Sequence, residues 1–207
     1  MITGIEWLSD SKLKDLDFAD DIALLDVSLN GMQDLTSKVE DAAKLVGLHV
    51  NAEKTKMVIV GTLPCGNITV SGNTVETVNE FCYLGSIIQD DSSCDKDIRA
   101  RLGKANGVFG RLTNIWRDNG LSLRTKIRLY EALVLSTLLY GAKTWSMSVS
   151  NTKKLEPAHH RWQKKILKIS WKDMITNKTV RERTGQDTLE SIIRERRTST
   201  QMVWSCI

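Results

Sequence analysis

Two adjacent carboxylates, Asp20 and Asp21, sit between two short apolar runs near the start of a 207-residue chain. Leu16-Asp17-Phe18-Ala19 leads into the pair and Ile22-Ala23-Leu24-Leu25 leads out of it. Each run is strand-length, so the spacing predicts a tight β-hairpin with both carboxylates at its tip. Like charges side by side between buried strands require a cation. Mg²⁺ suits the position, because it is commonly held by one or two carboxylates plus substrate phosphates. A solvated acidic turn is the plain alternative, since Asp is a common turn residue.

The neighbouring elements must position this tip. Residues 1–11 show no periodicity, and the first strand is expected at Lys14 to Phe18. Ser28 or Asn30 can cap a helix running to about Val46, with Leu35, Val39, Ala42, Ala43 and Val46 inward and Gly47 as its terminator. Strands are expected at Leu48 to Asn51 and Met57 to Val60. A small hairpin follows around the turn Ser71-Gly72-Asn73, with Ile68 and Val70 on one side and Val75 and Val78 on the other. Phe81 to Ile88 reads as a further strand, and Gly85 within it suggests a bulge or a close backbone approach. The expected layer is an antiparallel sheet with a helix packed on it, an α+β arrangement.

From about Cys94 the period becomes helical. Ile98, Leu102, Ala105, Phe109, Leu112 and Trp116 form one stripe, with Arg99, Lys104, Arg111 and Arg117 opposite. Ser122 caps the next helix, with Ile127, Tyr130, Leu133, Val134 and Leu138 inward. Arg124, Lys126 and Arg128 crowd its first turns, the wrong end for cations in the helix dipole, so they read as ligand-facing. A third helix is expected at about Thr152 to Ile169, with Lys164, Lys165 and Lys168 on its polar side. Short helices follow at Thr179 to Thr184 and Leu189 to Arg197. Trp116, Trp145 and Trp162 fall on or near apolar stripes and read as core. The adjacent pair His159-His160 lacks the spacing of metal ligands.

Charge divides the chain. Residues 1–100 carry 8 Lys+Arg against 17 Asp+Glu, and residues 101–207 carry 21 against 8. An acidic front and a basic back suggest a polyanionic ligand; two solvated faces of opposite sign explain the same counts. The four cysteines (Cys65, Cys82, Cys94, Cys206) show no CxxC spacing and read as free thiols of a reducing, intracellular compartment. No apolar run is long enough for a membrane span.

Three segments together resemble one family, the reverse transcriptases of non-LTR (LINE-type) retrotransposons. Phe18-Ala19-Asp20-Asp21 resembles the catalytic hairpin. Gly47-Leu48-His49-Val50-Asn51-Ala52-Glu53-Lys54-Thr55 resembles the next motif, G[LI]xxNxxKT. Phe81-Cys82-Tyr83-Leu84-Gly85 resembles the primer-grip motif, FxYLG. The order and spacing fit the family, and Trp171 to Asn177 resembles a WxDxxTN stretch that follows its thumb. The resemblance implies a partial polymerase palm over 1–92, a helical thumb over 93–147, a helical extension over 148–197 and a disordered tail over 198–207. It implies Mg²⁺ or Mn²⁺ on Asp20 and Asp21, with Asp20 the stronger ligand. Lys54 or Lys56 would approach nucleotide phosphates. Phe81, Tyr83, Leu84 and Gly85 would line the primer backbone. Arg99, Lys104, Arg111, Arg124, Lys126 and Arg128 would track an RNA–DNA duplex formed by an RNA template and a DNA primer.

The chain also departs from the family. There, a third carboxylate comes from a strand ahead of the hairpin, and the fingers lie further upstream; here 17 residues precede Phe18. Asp17 faces away from Asp20 in a regular strand, and Asp15 lies too far down it. The chain alone is therefore expected not to extend a primer. Two functions stay open: a fragment of an RNA-directed DNA polymerase, or a non-catalytic nucleic-acid-binding remnant that uses the basic helices. A helical partner-binding module is a third.

Overall fold

The computed structural model describes residues 4–8, 11–61 and 66–204. The chain is mixed α and β, about 52% helical, with small and mainly antiparallel sheets. It divides into two units, residues 1–92 and 93–207.

In the first unit, β1 (Ile5–Leu8) pairs antiparallel with β2 (Ser11–Leu13) through a register shift between Glu6 and Leu8. This ladder precedes the first strand expected from sequence. It is too short and too irregular to leave an alternating pattern. β3 (Asp15–Phe18) and β4 (Asp21–Leu24) form the hairpin that carries the carboxylates. Asp26 then fastens its exit. Its carboxylate accepts from Gly4 N (2.7 Å) and Ser28 N (2.8 Å).

Helix α1 (Leu29–Leu45) starts at Ser28, whose hydroxyl accepts from Gly31 N at 3.1 Å. It ends in a Schellman motif: Leu48 N donates to Ala43 O and Gly47 N to Lys44 O, with Gly47 at φ +75°. Only the front of its apolar face is covered. Leu35 is buried, whereas Leu45 and Val46 are 89% and 71% exposed. Polar ties hold the helix instead. The Gln33 amide exchanges two hydrogen bonds with the Thr69 backbone, and Glu40 accepts from Ser71 N and Oγ.

The strands do not join into the single antiparallel sheet expected of a palm. Among the described residues they form five separate two-stranded ladders, and β5 (Lys56–Met57) pairs with β8 (Glu76–Thr77) in parallel. Leu48 to Asn51 is not a strand either, because Asn51 folds the next residues into a turn. Its Oδ1 accepts from Glu53 N and Lys54 N, and its carbonyl from Thr55 N. β6 (Thr69–Val70) and β7 (Asn73–Thr74) form the expected small hairpin through Ser71-Gly72. Met57, Ile68, Val70 and Val75 make the small core of this unit.

β9 (Glu80–Tyr83) and β10 (Ser86–Gln89) form a third hairpin in which Ser86 pairs with Tyr83. The run expected as one strand is thus two. Gly85 is a turn residue and not a bulge. Leu84 (φ +48°) and Gly85 (φ +80°) are both left-handed, as a two-residue type I′ turn requires.

The second unit has one core, shared by helices on both sides of residue 147. α2 (Asp95–Arg111) and α3 (Thr113–Arg117) contribute Ile98, Ala105, Phe109 and Trp116. α4 (Leu123–Leu129) is capped by Ser122 and runs through a π-helical segment, Tyr130–Leu135, into α5 (Ser136–Leu138). The widened turn shifts the inward phase. Val134 and Leu135 are buried, while Leu133, expected inward, is 41% exposed. α6 (Val149–Ile166) supplies Leu155, Ala158, Trp162 and Ile166. Phe109 stacks on Trp116 at 5.0 Å and on Trp162 at 6.0 Å. The indole N–H groups of Trp116, Trp145 and Trp162 donate to Phe109 O, Asp97 Oδ2 and Asn106 Oδ1.

The WxDxxTN segment is a pair of caps. Ser170 and Asp173 form a capping box, and Thr176 caps α7 (Asn177–Thr184). α8 (Leu189–Trp204) runs on past Arg197, with the Thr198 hydroxyl donating to Arg194 O. The tail expected to be disordered is helical to Trp204, because it contains no glycine or proline to stop the helix. Cys82 and Cys94 are free thiols; Cys65 and Cys206 lie outside the described residues.

His159 is a core group. Its Nδ1 lies 2.6 Å from Tyr130 Oη, and its Nε2 lies 3.1 Å from Asp187 O and 2.7 Å from Gln163 Nε2. Burial pushes its pKa down to about 4.

Two predictions follow from this architecture. Leu84→Asn should stabilise the first unit by about 1 kcal/mol, because a left-handed Leu is strained and Asn-Gly is the favoured turn; urea denaturation measures it. Above its ordinary pKa of 6.5, His159 is neutral whether the chain is folded or unfolded. Below it, the unfolded chain takes the proton first. Stability is therefore full above about pH 6.5 and falls towards pH 4, by roughly 3 kcal/mol. His159→Gln should remove that part of the decline in urea titrations at pH 7 and pH 4.5.

Candidate functional site

The hairpin tip is built by a two-residue turn. Ala19 takes φ +56°, and Phe18 pairs directly with Asp21. Paired residues share a face, so Asp21 lies with Leu16, Phe18 and Ala23. Asp15 and Asp17 lie on the other face with Ile22 and Leu24. The hairpin pairing therefore separates Asp17 from Asp21.

The setting of the pair differs from the expectation. Leu16, Phe18 and Ile22 are 45%, 62% and 50% exposed, so the flanking strands are not buried. Asp20 and Asp21 are themselves exposed and have no ion-pair partner among the described residues. Water already solvates both carboxylates, and burial does not force a counter-ion on them. Among the described residues no group of three or more His, Cys, Asp or Glu is arranged to hold a metal ion. The two carboxylates suit a hydrated Mg²⁺ completed by waters and phosphates, and do not form a closed protein cage.

The third hairpin meets this one. Tyr83 Oη donates to Leu16 O at 3.2 Å, joining segments 67 residues apart. Phe81 shares a strand face with Tyr83, Ser86 and Ile88. Two of the three resembling segments are thus brought together, with Leu84 and Gly85 at the tip of the second.

The G[LI]xxNxxKT segment divides its two lysines. Lys54 is exposed beyond the Asn51 turn and has no ion-pair partner among the described residues. Lys56 donates to Glu76 Oε2 at 2.6 Å across the parallel β5–β8 pair. Lys56 is committed to the fold, which leaves Lys54 as the lysine open to an anion. Sequence reasoning missed Asn51, whose fixed distance from Lys54 and Thr55 was the available signal.

In the second unit, Arg99, Lys104, Arg111, Arg124 and Arg128 are exposed. Lys126 is not. It is 5% exposed, and its ammonium donates to Trp116 O (3.2 Å) and Asp118 O. It serves the C-terminal end of α3, the favourable end of a helix dipole for a cation, rather than a ligand. Arg99 and Lys104 stand about 140° apart around α2, so they make no single stripe. Arg124 and Arg128, four residues apart, do share a face.

Comparison with known proteins gives two similarities. The chain is 25% identical over 163 residues to a transposon-derived protein of Caenorhabditis elegans, covering 76% of this chain and 58% of that protein. It is 23% identical over 170 residues to the RNA-directed DNA polymerase from the mobile element jockey of Drosophila funebris, covering 74% of this chain and 18% of that one. Both similarities support a transposon origin. The chain spans little more than half of the first relative and under a fifth of the second. No family model matches the chain, and no solved structure matches it.

The contact between the two hairpins is open to test. Tyr83→Phe removes one neutral hydrogen bond and should lower the stability of the first unit by about 1 kcal/mol. Hydrogen exchange at residues 15–18 should rise while that of α2 and α6 stays unchanged.

Proposed function

We propose that this chain is part of a non-LTR retrotransposon reverse transcriptase: palm residues from the catalytic hairpin to the primer grip, followed by the helical thumb. The observation that carries the reading is the Tyr83–Leu16 hydrogen bond. It joins an FADD hairpin to an FxYLG hairpin across 67 residues, and neither motif needs the other for its own local structure. The similarity to the jockey polymerase supports it independently.

On this reading Asp20 and Asp21 hold divalent metal. Asp20 belongs to the turn and is the stronger ligand; Asp21 is bound into the ladder opposite Phe18. Mg²⁺ or Mn²⁺ bound there would activate a primer 3′-hydroxyl and stabilise a leaving pyrophosphate. Lys54 contributes positive charge for nucleotide phosphates, and Tyr83 anchors the primer-side hairpin to the carboxylate hairpin. Asp20 and Asp21 are the two carboxylates that this reading assigns to the metal.

A second reading, a nucleic-acid-binding remnant without catalysis, is favoured by the full solvation of Asp20 and Asp21 and by the exposed pair Arg124 and Arg128.

Metal separates the two. Millimolar Mn²⁺ should broaden the backbone amide NMR signals of residues 18–23 in the wild type. The effect should vanish in Asp20→Ala and weaken in Asp21→Ala. Equal broadening in Asp20→Ala, or none in the wild type, removes the metal site and leaves the remnant.

A further inference from the structure

An open groove of ≈ 880 Å³ runs along α6. Lys153, Arg161, Lys164 and Lys165 line it, and Ile169 and Asn177 form part of its wall. Lys153, Pro157, His160 and Lys164 fall within about 60° of one another around the helix, so they form one row. Arg161 and Lys165 flank that row. From Lys153 to Lys164 the row spans about 17 Å.

These cations are not serving the fold. Lys153, Lys164 and Lys165 have no carboxylate partner among the described residues. Arg161 holds one exposed hydrogen bond, to Asn106 Oδ1 at 3.1 Å. The lining also holds one carboxylate, Glu156. Its Oε1 accepts from Glu190 N at the start of α8, and its Oε2 lies 3.6 Å from His160 Nε2. Its charge offsets part of the positive charge, and with Lys153, Arg161, Lys164 and Lys165 in the lining the groove stays net positive. Four like charges along one groove repel each other, and a chain of negative charges relieves that repulsion.

We propose that this groove binds the phosphate backbone of a single-stranded nucleic acid. The cations lie along one helix, in a line that one strand of phosphates can follow. Pro157 and Ile169 give the strand an apolar surface for sugar or base, while the cations follow its phosphates without reading sequence. Asn177, which closes the wall, belongs to the WxDxxTN segment, so the two caps at Ser170 and Thr176 also fix one side of the groove. The choice of ligand rests on the polymerase reading. The groove itself lies apart in sequence from the carboxylate hairpin, and its test does not involve metal.

The test uses the full-length chain and fluorescein-labelled oligo(dT) of 20 nucleotides, with anisotropy read at several salt concentrations. Four phosphate contacts predict a slope of log K against log salt of about −3. Lys153→Gln/Lys164→Gln/Lys165→Gln should weaken binding at least tenfold at 50 mM salt and flatten the slope by about 2. The corresponding Lys→Arg triple variant should bind as the wild type does, which excludes simple misfolding. Several results would overturn the proposal: unchanged binding by the Gln variant, loss confined to Arg124→Gln/Arg128→Gln, or equal affinity for polyglutamate. A preference for duplex over oligo(dT) would overturn it too. None of these would touch the Mn²⁺ result at Asp20, so the two readings fail separately.

Discussion

A two-residue turn closes a hairpin best when its backbone enters the left-handed region, and this constraint sets the geometry of the hairpins at Ala19, Ser71 and Leu84. Ala19, Ser71 and Leu84 are all left-handed at the first turn position, with Gly72 and Gly85 following two of them. The turn at Ala19 fixes the pairing of Phe18 with Asp21, and that pairing decides which carboxylates share a face. A slip of one residue would exchange Asp21 for Ile22 on the Phe18 face. The turn at Leu84 and Gly85 likewise puts Tyr83 at the end of its strand, from which its hydroxyl reaches Leu16 O. Non-glycine residues in such positions are strained by about 1–2 kcal/mol each. Two of the three turns that carry this strain belong to the hairpins joined at Leu16.

The exposure of the hairpin changes the argument about metal. Carboxylates in a buried tip would need a cation to exist as charges. In this unit the apolar strands are themselves open, and Asp20 and Asp21 are solvated without one. Metal affinity then depends on how closely the two carboxylates are held and on further oxygen ligands from waters or phosphates. On the proposed polymerase reading, such a site would bind its ion together with substrate. The same exposure leaves Leu16, Phe18 and Ile22 uncovered on both faces of the hairpin.

Elements set by local rules were legible in the sequence. Ser28 and Gly47 mark the ends of α1, Ser71-Gly72 marks a hairpin, and the Ile98-to-Trp116 stripe marks a core face. Each depends on a few neighbouring residues and a fixed period. The hairpin was legible because two strand-length apolar runs flank a polar break, but its turn is Ala19-Asp20, and Asp21 stands in the ladder opposite Phe18. What escaped depends on contacts or on departures from the period. β1–β2 is too short to alternate. The single expected sheet failed because Asn51 turns the chain where a strand was expected, and pairing at β5–β8 covers only two residues. Leu133 was misplaced because a π-helical turn advances the phase of its helix.

The lysines show most directly why residue type alone does not identify a binding surface. Lys56, Lys126 and Lys168 looked like solvent-facing or ligand-facing cations. Lys56 closes an ion pair with Glu76. Lys126 and Lys168 both hold the end of α3, Lys126 on Trp116 and Asp118 carbonyls and Lys168 on the Arg117 carbonyl and the Asn119 side chain. An ammonium with three donors can satisfy the free carbonyls at a helix end, and burial there costs little because the carbonyls replace its water. The positive balance of residues 101–207 is therefore partly internal structure. Attraction for a polyanion comes from the charges left over, and their arrangement matters more than their number. Scattered around α2, as Arg99 and Lys104 are, they give a diffuse field. Aligned along α6, where they outnumber the one carboxylate in the lining, they give a groove whose repulsion a single strand of phosphates can relieve.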